Sequence, residues 1–241
     1  MNVLMISPGY PADMPEFTRG LEESGARVYG VGDQHAGSLP ELVRHSLSEY
    51  VQVASLWDTG RVIGELTERL RGRELDRIEC LWEPGIMLAA ELREHFGVAG
   101  SGVEHARLFR DKEAMKVALD KAGIRTPRHV AVDSVAGCWS AVEEIGFPVI
   151  LKPIDGAGSA DTYRVASREE LRAVLPLLRH VPTISVEEFI DGEEYTFDTI
   201  TVDGEIAYYN VAWYRPRPLI ARSNEWTVSY THLTLPTTPY V

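Results

Sequence analysis

The sequence predicts an α/β protein in two parts, a parallel sheet covered by helices followed by an α+β region. Two observations predict this class. Short apolar runs alternate with helix-like stretches through the first hundred residues, a rhythm typical of strand–helix–strand units. Beyond residue 105 the pattern changes to strands separated by a glycine loop, one helix and a hairpin signal. A chain of 241 residues, 44% of them hydrophobic, is long enough to bury a sizeable core.

The first region, residues 1–105, contains four strand signals joined by helix-like stretches. Apolar runs that stop at Gly, Pro or Asp are typical of strands buried in a parallel sheet. The strands are predicted at residues 3–6, 27–31, 51–54 and 78–82, and the helices at 15–24, 62–70 and 84–96.

The second region, residues 106–226, begins with the clearest helix signal of the chain, Glu104 to Ala122. Leu108, Met115, Leu119 and Ala122 form one stripe at helical spacing, and Gly123 follows as a helix terminator. Asp203-Gly204 is a typical hairpin turn. The later elements are predicted as helices at 135–145 and 168–178, strands at 149–151 and 184–189, and hairpin arms at 195–202 and 206–213.

Composition narrows the function classes. The chain carries 36 acidic and 24 basic residues, a formal charge of -12, which argues against general nucleic-acid binding. No apolar run is long enough to cross a membrane, and the start lacks a basic leader. Cys80 and Cys138 have neither metal-site spacing nor a disulfide framework, so a reducing cytoplasm is the expected location.

The first motif with chemical content is Arg110-Asp111-Lys112, near the start of the long predicted helix. Lys112 lies four residues after Leu108 and three before Met115, so the spacing places it inside the apolar stripe. An ammonium group there must reach solvent or meet an anion. For this motif taken alone, a salt bridge to a neighbouring carboxylate is the better interpretation.

The second motif is an apolar strand, residues 147–153, that delivers Lys152 just before a loop of small residues, 155–161. Such residues let backbone N–H groups approach phosphate oxygens closely, although an ordinary turn explains the loop as well. It is not a Walker loop, because no Gly-Lys-Ser/Thr occurs. It is not a dinucleotide fingerprint either, because a strand follows where a helix is needed. Strand–loop–strand suggests a flap over phosphates.

The third motif runs from Val186 to Thr196 and is rich in acids. Adjacent acids at a strand end are usually just solvated. A strand that breaks at Asp191-Gly192 and then resumes can instead present backbone groups to an adenine edge, with Glu194 within reach of ribose hydroxyls.

Taken in order, the three motifs resemble the ATP-grasp superfamily, and the likeness extends from about Met1 to Ala212. The resemblance implies a Rossmann-like preATP-grasp domain, which usually helps to bind a carboxylate substrate, followed by an incomplete α+β ATP-grasp domain. It also implies ATP and Mg²⁺ as cofactors. The expected partners are ATP and a small carboxylate, with no nucleic acid and no membrane.

The resemblance also implies roles for individual residues. Lys112 and Lys152 would contact the α- and β-phosphates, and Glu194 would bind the ribose. Glu187, Glu188 and Ile190 would line the adenine, partly through backbone atoms. The flap would be formed by Gly156, Gly158 and Ser159.

The metal ligands of the family are an acidic residue and a Glu-x-Asn motif on later strands, and nothing after Trp213 fits that pattern. The stretch Val228 to Thr237 looks like a translated sequencing adapter, so residues 227–241 are expected to be non-native. A genuine threonine- and proline-rich tail is the alternative. The resemblance therefore implies a C-terminally truncated chain that lacks its magnesium ligands and does not complete catalysis alone.

The implied reaction is activation of a carboxylate as an acyl phosphate, which an amine or thiol then attacks. Alternatives are bicarbonate activation of the biotin carboxylase or carbamoyl-phosphate type, and nucleotide binding without catalysis. A dinucleotide-dependent oxidoreductase is disfavoured, because Ser7–Pro11 lacks the glycine spacing.

Glu83-Pro84-Gly85 follows a strand and is a candidate for the acceptor site. The tryptophans Trp57, Trp82 and Trp139 are expected in the core.

Overall fold

A computed structural model describes residues 1–155 and 160–223, with side chains given to residue 220. The chain forms two compact units, Met1–Ala118 and the residues from Leu119 onward. The predicted boundary near residue 105 and the predicted domain limits stay predictions. The tail 227–241 lies outside the described residues, so its predicted non-native origin also stays a prediction.

The first unit contains a four-stranded parallel sheet. Its strands are β1 (Asn2–Ile6), β2 (Arg27–Gly32), β3 (Leu47–Gln52) and β4 (Arg77–Glu79). They lie in the order β3-β2-β1-β4, with every neighbouring pair parallel. The parallel sheet predicted from the alternating rhythm is therefore confirmed.

Helices cover this sheet and complete its core. Leu4, Ile6 and Ile78 of the sheet are fully buried and pack with Leu66 and Leu92 of the helices. Burial on both faces explains why β1 and β2 are continuous apolar runs in the sequence. The helices of this part are α1 (Met14–Glu23), α2 (Glu41–Ser46), α3 (Thr59–Arg69), α4 (Ile86–Phe96) and α5 (Val103–Arg110). The next helix, α6 (Lys112–Lys121), begins in the first unit and ends beyond its last residue, Ala118.

The prediction of a single long helix from Glu104 to Ala122 is wrong, because the helix is interrupted at Asp111 and two helices, α5 and α6, form instead. Asp111 is extended, with φ -98° and ψ 108°. Its Oδ1 accepts hydrogen bonds from the backbone N–H groups of Glu113 at 2.9 Å and Ala114 at 3.0 Å, which is the geometry of a helix N-cap. The break also interrupts the predicted stripe, and Leu108 is 37% exposed.

The second unit contains a four-stranded antiparallel sheet. Its strands are β5 (His129–Val132), β6 (Val149–Pro153), β7 (Tyr163–Val165) and β8 (Ile184–Glu188), in the order β5-β8-β6-β7. The helices α7 (Val135–Ile145) and α8 (Arg168–Val174) supply buried residues to a second core. The predicted α+β character of this region is confirmed.

A hairpin and a short helix follow. The hairpin consists of β9 (Tyr195–Val202) and β10 (Glu205–Trp213), and α9 (Pro218–Ser223) comes next. Asp203 and Gly204 both have positive φ, 51° and 86°. A type I′ turn requires positive φ at both central residues, so the hairpin turn predicted from Asp203-Gly204 is confirmed.

The prediction that Trp57, Trp82 and Trp139 lie in the core is confirmed only in part. Trp82 and Trp139 are partly buried and pack against the two cores. Trp57 is 65% exposed, so the prediction for this residue is wrong. Residues 53–58 connect β3 to α3 at the surface, and the buried apolar positions of that connection are Val53 and Leu56 instead.

Both cysteines are expected to resist alkylation in the folded protein. Burial raises the pKa of the Cys80 thiol from 9.0 to about 11 and raises the pKa of the Cys138 thiol as well. At pH 8 the Cys80 thiolate population should fall by about a hundredfold, and the thiolate is the reactive form. Mass spectrometry after iodoacetamide treatment should therefore show labelling only in denaturant, and rapid labelling of native Cys80 would contradict this burial.

Among the described residues, no helix is both long enough and apolar enough to span a lipid bilayer.

Candidate functional site

Strand alternation sorts the side chains of the second sheet onto two faces. On β6, Val149 and Leu151 are fully buried in the core, whereas Ile150 and Lys152 point to the opposite face. Lys152 pairs with Ser185 in the β6–β8 register, and Ile150 pairs with Glu187. Lys152 and Glu187 are therefore diagonal neighbours on one face.

The Lys152 ammonium group and the Glu187 carboxylate form an ion pair on this face. Lys152 Nζ lies 2.8 Å from Glu187 Oε2, and the hydroxyl of Ser185 donates a hydrogen bond of 3.0 Å to Glu187 Oε1. The Glu187 side chain is 6% exposed and that of Lys152 is 25% exposed. A carboxylate this deeply buried needs partners, so Lys152 and Ser185 stabilise its charge. The Lys152 side chain is therefore held in place near the end of β6 and stays partly exposed.

A cavity of about 310 Å³ opens over this pair. Ile150 and Phe189 contribute apolar surface to it, and Thr162 adds a hydroxyl group. Five of the site residues predicted from the sequence line this same cavity. Their positions in the chain do not by themselves require them to lie together. The five residues are Lys152, Glu187, Glu188, Ile190 and Glu194.

The chain leaves the sheet where β8 ends at Glu188. The Glu188 carboxylate is turned toward two arginines, with Oε2 3.5 Å from Arg125 Nη2 and 3.7 Å from Arg128 Nε. Further along, the carbonyl of Glu194 accepts a hydrogen bond from the N–H of Tyr214 at 3.0 Å. These contacts hold Glu188 and Glu194 in place. Between them, the edge of the cavity presents the exposed side chain of Ile190 and backbone groups.

The sequence that contains this cavity's residues is similar to sequences of known ATP-binding domains and ligases. Residues 111–193 match the sequence model of the carbamoyl-phosphate synthase L chain ATP-binding domain. The chain is 30% identical over 156 residues to the L-arginine-specific L-amino acid ligase of Bacillus subtilis, covering 62% of this chain and 38% of the relative. It is 34% identical over 140 residues to the D-alanine–D-alanine ligase of Pseudomonas putida strain GB-1, covering 55% of this chain and 43% of the relative.

A solved structure extends the likeness to the fold. The L-amino acid ligase from Bacillus licheniformis superposes with a TM-score of 0.70 at 20% identity, over 88% of this chain and 50% of that chain. The predicted resemblance to the ATP-grasp superfamily is therefore confirmed. The chain spans about two fifths of the length of the two curated ATP-grasp relatives named above.

The two lysines predicted for ATP-grasp phosphate binding lie in different compact units. Lys112 is the first residue of α6, in the first unit, and its side chain is partly buried. The most buried lysine of this helix is Lys116, 7% exposed, whose Nζ lies 2.6 Å from Glu113 Oε1. Sequence reasoning missed this pair, although acidic and basic residues three positions apart on a helix are a recognisable signal.

The predicted ATP-grasp flap residues Gly156, Gly158 and Ser159 lie outside the described residues, so their role stays a prediction. After these residues, Asp161 has a positive φ of 49°. The carboxylate of Asp161 lies 3.1 Å from His180 Nε2, which ties the end of the loop to the residues after α8.

A magnesium site is the remaining feature that the ATP-grasp resemblance implies. Within residues 1–155 and 160–223, no group of three or more His, Cys, Asp or Glu side chains is arranged to hold a metal ion. The described residues therefore do not fit a complete site, and the ligands expected on later strands stay a prediction.

Proposed function

We propose that this chain carries the nucleotide site of an ATP-dependent ligase. The enzyme activates a carboxylate as an acyl phosphate, and an amine or thiol then attacks it. The observation that supports this most directly is the cavity over the Lys152–Glu187 pair, which lies within the stretch that matches an ATP-binding domain. The curated relatives named above are ligases that join amino acids, as their names state.

In this proposal, different residues bind the phosphates, the adenine and the ribose of the nucleotide. Lys152 and Lys112 hold the α- and β-phosphates, and Gly156, Gly158 and Ser159 cover them with backbone N–H groups. The adenine lies against Ile190 and the backbone after β8, with Glu187 and Glu188 beside it. The ribose meets Glu194 at the exposed edge of the cavity.

The Lys152–Glu187 pair has a consequence for binding. Before nucleotide arrives, Glu187 fixes the ammonium group at the cavity wall, so little side-chain entropy remains to be lost when phosphate binds. A phosphate oxygen then shares the ammonium group with Glu187, since an ammonium group has more than one N–H to donate.

The chemistry of the proposed reaction has two steps. A carboxylate oxygen attacks the γ-phosphorus and ADP leaves; the amine or thiol then attacks the acyl carbon and phosphate leaves. Protein groups contribute mainly by positioning the phosphates and stabilising their charge. Magnesium would supply further charge stabilisation.

The test is the product of ATP cleavage by the full-length product of the gene, supplied with a panel of carboxylates and amines. ADP and phosphate should appear only when both substrates are present. Release of AMP and pyrophosphate instead would contradict the acyl-phosphate scheme. Nucleotide binding without turnover under every condition would favour a regulatory module.

A second candidate is bicarbonate activation, and one observation favours it. The sequence model matched by residues 111–193 is named for carbamoyl-phosphate synthase. In that reaction bicarbonate takes the place of the organic carboxylate as the attacking nucleophile. ATP hydrolysis that rises with added bicarbonate and ignores every other carboxylate would decide for this candidate.

Replacing Glu194 by glutamine should weaken ATP binding more than pyrophosphate binding. The substitution removes the carboxylate charge that strengthens hydrogen bonds from the ribose hydroxyls and leaves the phosphate contacts alone, so ATP affinity should fall by about three- to tenfold. Calorimetry with both ligands measures the difference. Glu193→Gln is the matched control, because Glu193 accepts a hydrogen bond from the Trp213 indole at 2.9 Å. Equal losses for ATP and pyrophosphate would remove the ribose assignment.

A further inference from the structure

The outer strand of the second sheet places a histidine beside the ion pair of the cavity. Strand β5 lies at the edge of the sheet, and its register with β8 sets His129 directly opposite Glu187. Val130 and Val132, which alternate with His129, pack in the second core. The imidazole therefore lies on the other face, together with Glu187 and Lys152, where side chains directly opposite one another have Cβ atoms about 5 Å apart.

A second carboxylate orients the His129 ring. His129 Nε2 lies 3.1 Å from Asp120 Oδ2, and the His129 side chain is only 11% exposed. The other carboxylate oxygen of Asp120 accepts a hydrogen bond from the Thr126 hydroxyl at 2.7 Å. The ring is therefore nearly buried, has a carboxylate partner in Asp120 and faces a second carboxylate across the strand pair.

Further charged groups surround this ring. Arg128 and Glu144 line a cavity of about 290 Å³ beside His129, and the Glu188 carboxylate lies 3.7 Å from Arg128 Nε. Arginine and glutamate side chains ordinarily keep their charges between about pH 5.5 and 8, whereas histidine ordinarily changes its charge in that range. His129 is therefore the member of this set whose charge is expected to change near neutral pH.

The charge of His129 bears on the Lys152 ammonium group through Glu187. With a neutral imidazole, the carboxylate of Glu187 has the Lys152 ammonium group as its cation at 2.8 Å. Protonation places a second cation opposite the same carboxylate, so Glu187 divides its charge between two cations. The positive potential at the cavity wall then rises, and the ammonium group is freer to turn toward an anion.

We propose that His129 is a positioning residue of the cavity. Its protonated ring pairs with the Glu187 carboxylate and thereby makes the Lys152 ammonium group more available to an anionic ligand. That this ligand is ATP rests on the function proposed above. The coupling between His129 and Glu187 does not, because both residues lie in the second unit and the coupling is measurable without nucleotide.

The first arm of the test is a double-mutant cycle on the stability of the whole chain. His129→Gln, Glu187→Gln and the double variant are unfolded with urea at pH 5.5 and at pH 8. A histidine with an anionic partner stabilises the fold while it is protonated, and this contribution is lost as the pH rises. The two substitutions should therefore be coupled by at least about threefold in the unfolding equilibrium constant at pH 5.5 and uncoupled at pH 8.

The second arm is calorimetric titration with ATP at the same two pH values. The ratio of the ATP affinity of the parent to that of His129→Gln should be at least about threefold higher at pH 5.5 than at pH 8. Protonation of ATP itself affects both proteins equally and cancels in this ratio. His129→Lys, which stays cationic, should keep the higher affinity at pH 8. The control is His95→Gln, an exposed histidine of the first unit, which should follow the parent at both pH values.

Each result decides a different point. No coupling at pH 5.5, or the same coupling at both pH values, would overturn the proposal. Coupling at pH 5.5 with an affinity ratio that does not change with pH would show that His129 only stabilises the fold, and the positioning role would be wrong. Coupling at pH 5.5 without ATP binding by the parent at either pH would contradict the nucleotide proposal and leave the His129–Glu187 coupling standing.

Discussion

Lys152→Ala is expected to abolish most ATP binding and to destabilise the second unit. The substitution removes a phosphate contact, which should weaken ATP by at least about tenfold. It also removes the ion pair of Lys152 with the Glu187 carboxylate, whose side chain is 6% exposed. Removing one partner of a buried pair is strongly destabilising, and because Lys152 is 25% exposed we expect roughly 2–3 kcal/mol. Denaturant titration and calorimetry measure the two effects separately.

A double substitution separates binding from stability. Lys152→Met with Glu187→Gln removes both charges and keeps comparable volumes, so the free energy of unfolding should return close to that of the parent. ATP binding should stay weak. Recovery of ATP affinity together with stability would show that Lys152 acts only through the fold, and the phosphate assignment would then be wrong.

Leu151→Ala is expected to produce the largest loss of stability near the site. Leu151 is fully buried on the core face of β6, opposite Val186 in the β6–β8 register. Truncating such a leucine costs about 2–5 kcal/mol through lost burial and the cavity that remains. Since Lys152 is the next residue on the same strand, ATP binding should fall as the folded population of the second unit falls.

Leu177→Ala is the matched control for this prediction, because Leu177 is 53% exposed in the same unit. Its cost should stay within about 0.5 kcal/mol. Amide hydrogen exchange locates the effect, and Leu151→Ala should raise exchange in β6 and β8. A loss for Leu151→Ala no larger than that for Leu177→Ala would contradict the described packing of the second core.

Much of the fold is predictable because its causes are local. Four apolar runs separated by helix signals indicate a parallel sheet, since short connections leave few other arrangements. The hairpin is readable from Asp203-Gly204, because both residues tolerate positive φ better than most. The break at Asp111 is not readable from the apolar stripe. Its carboxylate competes with helix continuation by capping the next turn, and that competition depends on geometry.

The candidate site, like the fold, is predictable from the sequence only in part. Lys152 and the acids after it are recognisable because their motifs are continuous in sequence. The pairing of Lys152 with Glu187 and the support from Ser185 depend on the β6–β8 register, which no local pattern specifies. The exposure of Trp57 is not predictable from the sequence for another reason. An aromatic residue in a sequence predicts burial equally well, and only the structure shows that Trp57 is exposed.

Photoaffinity labelling with 8-azido-ATP tests the central claim most directly. The azide sits on the adenine, so irradiation followed by peptide mass spectrometry reports which residues contact the base. If the cavity over the Lys152–Glu187 pair is the nucleotide site, the label should map to residues 187–194 and be displaced by unlabelled ATP. ATP-displaceable label confined to residues 7–11 or 80–83 of the first unit would contradict it.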